Sequence, residues 1–343
     1  MLNKSSAIRL KAEWEEQRAI LLSFPHKHSD WQDLLQSARK CFVRIIKCIA
    51  KFESVYVCVD PRDKKGLELV QKSCKKELRV GNVQIFRVYS NDIWARDFGA
   101  ISIQKNGANT LLDFGFNGWG LKFRANFDNQ INRTLYKLGV FENLLTQDLI
   151  LEGGSIDSNG CGLLLTTSQC LLEANRNPHL SKQEIHSRLL KIFGLKKVLW
   201  LENGSLCGDD TDSHIDNLAR FIAPKTIAYA KCEDKLDVNF KPLEAMEREL
   251  FALRDENDKP FRLIALPLPK ARFYKGERLP ASYVNFLFVN NALLVPTYKD
   301  KKSDKKALQI LSDELPHLKV LGIDCTTLIK WHGSIHCASM QLY

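Results

Sequence analysis

Segments with the apolar pattern of buried strands alternate with segments of helical apolar spacing from one end of the chain to the other. Residues 31–52 carry apolar side chains three and four positions apart, and residues 54–59 follow as a run typical of a buried strand. No Pro-, Gly- or Ser-rich linker interrupts this alternation. The pattern predicts an α/β fold in a single domain that covers residues 1–343.

Capping and turn signals indicate several element ends. Ser181 and Glu184 predict a capping box for a helix that ends at Gly194, and Asn106 with Gly107 predicts the turn of a β-hairpin. Other helices are predicted over residues 62–77, 125–138, 236–254 and 303–315. Strands are predicted over residues 83–88, 100–104, 110–114, 161–172, 197–201, 217–222, 227–230, 262–266, 283–289, 292–296, 319–323 and 335–340.

Composition narrows the classes of function. Apolar residues make up 45% and charged residues 26% of the chain, which suits a globular protein with a sizeable core. A net charge of +10 could indicate that the protein binds nucleic acid. The basic residues are dispersed, however, and the densest run, residues 299–306, lacks interleaved aromatic side chains. Residues 1–11 lack the apolar region of a signal peptide, and no long apolar stretch predicts a membrane span. We therefore expect a cytoplasmic protein that binds neither nucleic acid nor a membrane.

The cysteines do not form a metal or redox motif in the sequence. Ten are present, and no two have C-x-x-C spacing, so neither a zinc ribbon nor a redox dithiol is predicted. In a reducing compartment most of them are expected to be small buried apolar side chains.

Five segments combine polar or charged residues with Gly, Trp or Phe at expected strand ends or loops, where rigid scaffolds usually present functional groups. Each segment alone has an ordinary structural explanation, such as a turn residue for Asp97 or a core thiol for Cys337. Their occurrence together in one chain favours a functional site. The segments are residues 91–99, 151–154, 208–217, 279–286 and 332–337.

Together these segments resemble the agmatine deiminases, relatives of the peptidylarginine deiminases within the guanidino-group-modifying superfamily. The resemblance runs from about Trp14 to the C-terminus in unbroken order. It departs from the family pattern at Ala100, Ser213, His332 and Ser334, none of which replaces a catalytic side chain. The matching motifs are W-x-R-D-x-G at residues 94–99, E-G-G at 152–154, C-L-L-x-x-N-R-N-P at 170–178, D-D-T-D-x-H-I-D-N at 209–217, L-P-A-S-Y-x-N-F at 279–286 and G-x-I-H-C at 333–337.

The resemblance implies a fold and an activity. The implied fold is a five-bladed, pseudo-symmetric α/β propeller of ββαβ-type repeats around a central active-site pocket. The implied enzyme is an agmatine deiminase, a hydrolase that converts agmatine to N-carbamoylputrescine and ammonia through an amidino-cysteine intermediate. Its partner is a small guanidinium substrate, no metal or organic cofactor is expected, the implied pathway is polyamine (putrescine) biosynthesis, and a homodimer is compatible with the resemblance.

A guanidinium is a planar cation that stays protonated near neutral pH, so paired carboxylates must accept its in-plane N–H groups. The resemblance implies that Asp97 and Asp216 are these carboxylates and that Trp94 forms an apolar or cation–π wall. The second cation of agmatine, its primary amine, calls for a further carboxylate, for which Asp210 and Asp212 are the candidates.

Cys337 is the implied nucleophile, and only its thiolate attacks. Neighbouring carboxylates are expected to raise its pKa and a bound cation to lower it, which predicts a thiol that is sluggish in the empty site. His214 is the implied general acid and base, and Glu152 is expected to hold the His214 tautomer and to raise its pKa. Asn285 and His336 are interpreted as structural.

Four alternatives stay open. The string Asp212-x-His214-x-Asp216 resembles one half-site of a manganese-dependent agmatinase, which would release urea, although no second ligand string is found. The same cysteine chemistry could act on peptidylarginine or free arginine, or pass the adduct to an amine as an amidinotransferase does. The fourth alternative is a basic binding module without activity.

Overall fold

The computed structural model describes residues 8–343 and has an α/β fold. Five sheets share one strand pattern, and a sixth is a short two-stranded hairpin. In each of the five, a strand that we call the leading strand pairs antiparallel with a second strand, and a third strand pairs parallel with the second. A helix lies between the second and third strands in the chain. The resulting ββαβ unit occurs five times in the described chain.

The first unit is closed by the two ends of the chain. Its leading strand Ser339–Leu342 pairs antiparallel with Ala19–Ser23, which in turn pairs parallel with Ser54–Val59. The helix Leu35–Ile49 joins the second and third strands, and Val83–Arg87 adds a further parallel strand. The C-terminal segment is therefore held in place by a strand from near the start of the chain.

The second unit also gains an extra strand. Its leading strand Ile101–Lys105 pairs antiparallel with Ala108–Gly115, and Leu144–Ile150 pairs parallel with the latter after the helix Ile131–Lys137. The strand Ile8–Leu10 pairs antiparallel with the free edge of the leading strand.

The remaining three units have no fourth strand among the described residues. Their elements, in chain order, are Ile156–Ser158, Leu163–Thr167, the helix Lys182–Phe193 and Lys197–Leu201; Ala219–Ala223, Thr226–Lys231, the helix Phe240–Ala252 and Arg262–Pro267; and Leu287–Val289, Ala292–Thr297, the helix Lys301–Glu314 and Lys319–Asp324. The two-stranded hairpin pairs Phe273–Tyr274 with Glu277–Arg278.

Local sequence signals were reliable where the interactions are local. The capping box of Ser181 and Glu184 is confirmed, and Gly194 ends that helix in the left-handed conformation. The predicted hairpin turn is confirmed as well, because Asn106 and Gly107 both have positive φ angles, 52° and 84°, as a two-residue turn between paired strands requires.

Several predicted elements are shorter than expected or divided. Residues 161–172 form the strand Leu163–Thr167 followed by the helix Ser168–Leu171, because the Thr167 side chain caps the helix by accepting from the Cys170 amide. Residues 62–77 form two helices, Lys64–Ser73 and Lys75–Arg79. The helices predicted over residues 125–138 and 236–254 are confined to Ile131–Lys137 and Phe240–Ala252.

The strands predicted over residues 283–289 and 335–340 begin only at Leu287 and Ser339. The reason is that the backbone of the preceding residues does not hydrogen-bond to a neighbouring strand. The backbone N–H groups of His336 and Cys337 donate to the side-chain oxygen of Asn285 instead of to a neighbouring strand.

The second strands form the centre of the core. Every residue of Ala19–Ser23 and of Leu163–Thr167 is buried, as expected for strands that are covered on both faces. Across residues 8–343, no helix combines the length and apolar character needed to cross a bilayer.

Equivalent positions of the five units carry the polar residues that the sequence singles out. Within a few residues before each leading strand lies one side chain of this set, which comprises Asp97, Glu152, Asp216, Asn285 and Cys337. The repeated connection thus places one of these side chains in each unit.

Candidate active site

Asp97 lies in the one-turn helix Ala95–Phe98 and is buried. Its Oδ2 accepts a hydrogen bond from Trp119 Nε1 at 2.9 Å, and its Oδ1 accepts one from the Gly154 amide at 3.0 Å. The helix is tied to the C-terminal segment because the Arg96 amide donates to the Cys337 carbonyl at 3.1 Å. Burial and the neighbouring Asp216 carboxylate raise the pKa of Asp97 well above its usual value.

Asp216 lies in the short turn Ile215–Asn217 and is 1% exposed. Its Oδ2 is 2.8 Å from His336 Nδ1 and accepts from Asn285 Nδ2 at 3.3 Å, whereas its Oδ1 has no hydrogen-bond partner in the described part of the chain. Burial acts to raise the pKa of Asp216, but the hydrogen bond and charge of His336 outweigh it and the pKa is lowered. A buried, ionised carboxylate with one unpaired oxygen is suited to a cationic donor.

Cys337 lies beside both aspartates. Its Sγ is 3.6 Å from Oδ2 of Asp216 and accepts a hydrogen bond from Asn285 Nδ2 at 3.0 Å. Burial, followed by the negative charges of Asp216 and Asp97, raises the pKa of the thiol well above its usual value. The expectation of a thiol that stays protonated in the empty site is thus supported by its surroundings.

His214 packs against Asp97, with its Nδ1 3.6 Å from Asp97 Oδ1. Its Nε2 is buried and has no hydrogen-bond partner among residues 8–343. Burial lowers the pKa of His214 to about 3, despite the opposing charge of Asp216. The expectation that Glu152 raises the pKa of His214 was therefore wrong for the empty site, because the desolvation of the imidazolium is the larger effect.

Glu152 does not hydrogen-bond to His214. Its two oxygens instead accept from Arg176 Nε at 2.9 and 3.0 Å, and both side chains are fully buried. Glu152 nevertheless lies near His214. One carboxylate oxygen of Glu152, one ring nitrogen of His214 and the Cys170 sulfur all lie within 4.8 Å of one another. The expected direct support of the His214 tautomer is thus replaced by an ion pair with an arginine.

Gly154 leaves the space into which three functional side chains converge. A Cβ atom at this position would lie 2.7 Å from His214 Nδ1, 2.8 Å from Asp97 Oδ1 and 3.2 Å from Asp216 Oδ2. The absence of a side chain at Gly154 is therefore a condition for the arrangement of the imidazole and the two carboxylates.

A pocket opens beside these groups, although Asp216 and His214 are not among the residues that line it. Cys337 and Asp97 line it together with the rings of Trp94 and Trp119. Trp94 packs closely against Gly333, where any Cβ would overlap its ring, and the indole forms part of the pocket wall. The pocket combines an acidic floor with aromatic sides, as a planar cation requires.

The two candidates for the distal carboxylate differ. Asp210 lines the pocket, and burial raises its pKa to about 6. Asp212 does not line it, because its two oxygens are 2.7 Å from Lys122 Nζ and 2.7 Å from Arg176 Nη1. The substrate contact expected of Asp212 was therefore wrong, since both of its carboxylate oxygens are already paired with cations.

Neither metal arrangement is favoured by these contacts. The half-site string of Asp212, His214 and Asp216 is broken, because Asp212 is engaged by Lys122 and Arg176. Glu152, Cys170 and His214 form a compact buried group with ligand-type atoms, but Arg176 occupies both oxygens of Glu152. A guanidinium at that distance opposes the binding of a second cation.

Several site residues were missed by sequence reasoning. Asn285 was interpreted as structural but donates to the Cys337 sulfur. Trp119 and Arg176 lie in apolar or motif segments without an assigned role, yet they hold Asp97 and Glu152. His336 was interpreted as structural, and its ring lies between Asp216 and Glu13, within hydrogen-bond distance of both carboxylates.

Comparisons with known proteins identify the family of the chain. The family model of the Porphyromonas-type peptidyl-arginine deiminases matches residues 9–342. An agmatine deiminase of Pseudomonas aeruginosa is 31% identical over 98% of this chain and 96% of its own, and one of Medicago truncatula is 30% identical over 97% and 95%. The crystal structure of a substrate-bound agmatine deiminase variant of C. jejuni is 42% identical, covers 100% of this chain and 98% of its own, and superposes with a TM-score of 0.91.

Proposed function

The chain belongs to the Porphyromonas-type peptidyl-arginine deiminase family, and we propose that it hydrolyses the guanidinium group of agmatine to N-carbamoylputrescine and ammonia. Relatives of bacterial and plant origin that match nearly its whole length are agmatine deiminases, and so is a structural neighbour with bound substrate. The chain is therefore an enzyme of the agmatine-deiminating type.

One observation carries the assignment of the site. A buried thiol lies 3.6 Å from an ionised carboxylate that has an unpaired oxygen. That carboxylate, a second carboxylate and the His214 imidazole converge around the space left open by Gly154. Asp97 and Asp216 offer oxygens to the in-plane N–H groups of a guanidinium, and Trp94 offers a flat face. We assign Asp97 and Asp216 as the carboxylates that bind the substrate and Cys337 as the nucleophile.

In the first half of the reaction, the bound cation lowers the pKa of the thiol and of Asp97. The proton of Cys337 passes to His214, which is neutral in the empty site. The thiolate electron pair then forms a bond to the guanidinium carbon and gives a neutral tetrahedral species. Because this species carries no oxyanion, no oxyanion hole is needed. His214 returns the proton to a terminal nitrogen, and ammonia leaves to give a cationic amidino-cysteine.

In the second half, His214 removes a proton from a water that attacks the amidino carbon. The tetrahedral adduct collapses with cleavage of the C–S bond, and its remaining hydroxyl proton returns to the Cys337 sulfur. The proton held by His214 converts the released ammonia to ammonium. The sum is guanidinium plus water giving a ureido group plus ammonium, with the enzyme restored.

Glu152 and Asp210 have supporting roles. We assign Glu152, which is fixed by Arg176, as the carboxylate that stabilises the imidazolium when His214 carries a proton. We assign Asp210, on the pocket wall, to the primary amine of agmatine. Its charge would then be compensated by an ammonium rather than by a protein side chain.

The arrangement of the domain is part of the proposal. The five ββαβ units each deliver a side chain to one site from the residues before the leading strand, and the first unit joins the two chain ends. These features support a single domain, residues 1–343, in which the units close as a five-bladed propeller around the pocket. The cytoplasmic location, the homodimer and the part in polyamine biosynthesis stay predictions.

Product analysis tests the activity. Agmatine, arginine and an arginyl peptide are incubated with the wild type, Cys337→Ser and Asp97→Asn, and ureido product, urea and ammonia are measured. We expect ammonia and N-carbamoylputrescine from agmatine, no turnover in Cys337→Ser, and a loss of both binding and rate in Asp97→Asn. The exposed Cys161 provides the control Cys161→Ser, which should keep wild-type activity. Release of urea, or full activity of Cys337→Ser, would contradict the proposal.

A further inference from the structure

The Cys337 sulfur has two side-chain hydrogen-bond partners, Asn285 and Asp216, and Asn285 is the closer of the two. Its Nδ2 is 3.0 Å from Sγ, and its side chain has no exposure to solvent. The same nitrogen lies 3.1 Å from Oδ1 of Asn217 and 3.3 Å from Oδ2 of Asp216. An amide nitrogen carries two hydrogens, so these three acceptors compete for two hydrogen bonds.

The backbone fixes the orientation of this amide. Oδ1 of Asn285 accepts from the N–H of His336 at 3.1 Å and from the N–H of Cys337 at 3.4 Å. A reversed amide would set its NH2 group against two N–H donors and leave buried polar groups unpaired, which is costly. The nitrogen must therefore face the sulfur, and the contact is a hydrogen bond from an amide donor to sulfur.

We propose that Asn285 is a catalytic residue whose Nδ2 hydrogen stabilises the Cys337 thiolate during attack and again when the thiolate is expelled. This inference rests on the proposed function. Asp216 and Asp97 oppose ionisation of the thiol, so a donor that faces the sulfur has to act against their charges. A lysine or arginine could do the same, but its positive charge would repel the guanidinium substrate. An amide stabilises the anion without that penalty.

The hydrogen bond changes during the cycle. In the empty site the thiol is protonated and can donate to Oδ2 of Asp216 at 3.6 Å. When the substrate engages Asp216 and the proton of Cys337 has passed to His214, the sulfur becomes the charged acceptor for Asn285. Charge-assisted hydrogen bonds are about twice as strong as neutral ones, so the amide favours the sulfur at the step where the C–S bond forms and at the step where it breaks.

Two variants separate a chemical role from a structural one. Asn285→Asp keeps an oxygen for the backbone N–H groups of His336 and Cys337, but it replaces the donor that faces the sulfur with an acceptor. Asn285→Leu removes donor and acceptor together. If Asn285 only supported the loop, the leucine variant would lose stability but keep the wild-type alkylation rate, whereas the aspartate variant also places a carboxylate beside Asp216 and the thiol.

Asn159 supplies a matched control. Its side chain is also buried, its Oδ1 accepts from two backbone N–H groups, those of Cys161 and Leu163, and its Nδ2 donates to the Pro224 carbonyl. Asn159→Leu therefore removes the same kind of amide from a place that has no contact with the thiol. It reports the effect of losing a buried asparagine on folding alone.

The experiment measures alkylation of Cys337 by iodoacetamide from pH 6 to 10, with peptide mass spectrometry to resolve this cysteine from the others. It also measures kcat and KM for agmatine. We expect alkylation below the thiol pKa to be about tenfold slower in Asn285→Leu and slower still in Asn285→Asp. We expect kcat to fall about 30-fold or more with KM changed by less than about threefold, and Asn159→Leu to match the wild type in both.

The result has clear alternatives. Wild-type alkylation and wild-type kcat in Asn285→Asp would overturn the inference, and so would a change confined to KM, which would make Asn285 a support for Asp216 instead. Should Asn285→Leu not fold, Asn285→Asp still decides. If the wild type releases no ammonia from agmatine, the proposed function fails, whereas the alkylation rates, measured without substrate, still judge the contact with sulfur.

Discussion

Arg176 donates its Nε hydrogen to both carboxylate oxygens of Glu152, at 2.9 and 3.0 Å, and neither side chain is exposed to solvent. The same guanidinium reaches Asp212 through Nη1 at 2.7 Å and the Thr211 carbonyl through Nη2 at 3.0 Å. One arginine thus joins the carboxylate beside His214 to the acidic loop that borders the pocket. The protein itself holds a guanidinium between carboxylates, next to the place where it would process one.

Replacing Arg176 with leucine should destabilise the protein strongly, because it leaves Glu152 buried without a partner. The loss of one member of a buried ion pair costs about 3–5 kcal/mol. The measurement is the free energy of unfolding from urea titration. As a control, Lys182→Ala removes a largely exposed pair with Glu202 and should cost about 1 kcal/mol or less. Equal losses in the two variants would contradict this account.

Gly154→Ala should abolish most of the activity with a smaller effect on folding. The added methyl group would meet His214 Nδ1 at 2.7 Å, Asp97 Oδ1 at 2.8 Å and Asp216 Oδ2 at 3.2 Å. A misplacement of about 1 Å costs on the order of 100-fold in rate, so we expect kcat/KM for agmatine to fall by at least that factor. Gly322→Ala, whose methyl group would touch only Thr297 and Leu308, is the control. Near-normal activity of Gly154→Ala would contradict this prediction, because it would show that the site accommodates the added methyl group.

Asp210→Asn should weaken the binding of agmatine more than the binding of a guanidine compound that has no amine. The carboxylate lines the pocket, and the loss of one partly buried charge contact is worth about 1–2 kcal/mol, or about tenfold in KM. n-Butylguanidine, which keeps the guanidinium and the four-carbon chain, should show an unchanged KM in the same variant. The exposed Asp258 provides the control Asp258→Asn. Equal effects on both substrates would remove Asp210 from the amine site.

The contribution of His26 to stability should be lost as the pH is lowered from 7 towards 4. Burial lowers the pKa of His26 from 6.5 to about 4, so the unfolded chain binds a proton in this range that the folded chain does not. By linkage, the folded state is then favoured above pH 6.5 and loses this contribution as the pH falls to 4, by about 2–3 kcal/mol. His214 acts in the same direction.

The contacts of His26 explain why it stays neutral. Its Nδ1 accepts from the His28 amide at 3.2 Å, so this nitrogen carries no hydrogen, and its Nε2 lies 3.1 Å from the Ser90 hydroxyl. Urea unfolding at pH 7.5 and pH 5 measures the effect. His26→Gln should have a smaller difference between the two values than the wild type, and the exposed His317→Gln should not differ. If His26→Gln showed the same difference between the two free energies of unfolding as the wild type, the pH dependence would have to come from other groups.

The sequence was most informative where a signal is local or where a motif is long. The capping box at Ser181 and the hairpin at Asn106 depend on residues a few positions apart, and both are present. The site segments were located by six ordered motifs, and the structure brings Asp97, Asp216 and Cys337 together. What the motifs did not give is the partner of each side chain.

The partners depend on contacts between distant parts of the chain. Arg176 meets Glu152 from 24 positions away and Asp212 from 36, and no pattern in the sequence fixes either pairing. Asp212 was for this reason assigned to the substrate although two cations hold it. Asn285 lies 52 positions from Cys337, in a segment whose apolar neighbours suggested a strand. The low pKa of His214 was missed because burial, which a sequence does not display, outweighs the nearby carboxylates.

The pairing of Ser339–Leu342 with Ala19–Ser23 has a consequence for how the enzyme comes into being. Contacts between segments that are far apart in the chain are slow to form, because the entropy cost of closing a large loop comes before any free energy is gained from the contact. Cys337 directly precedes the last of these strands, so it meets its aspartates only when the first sheet is completed. A chain in which this pairing has not formed therefore has no assembled nucleophile.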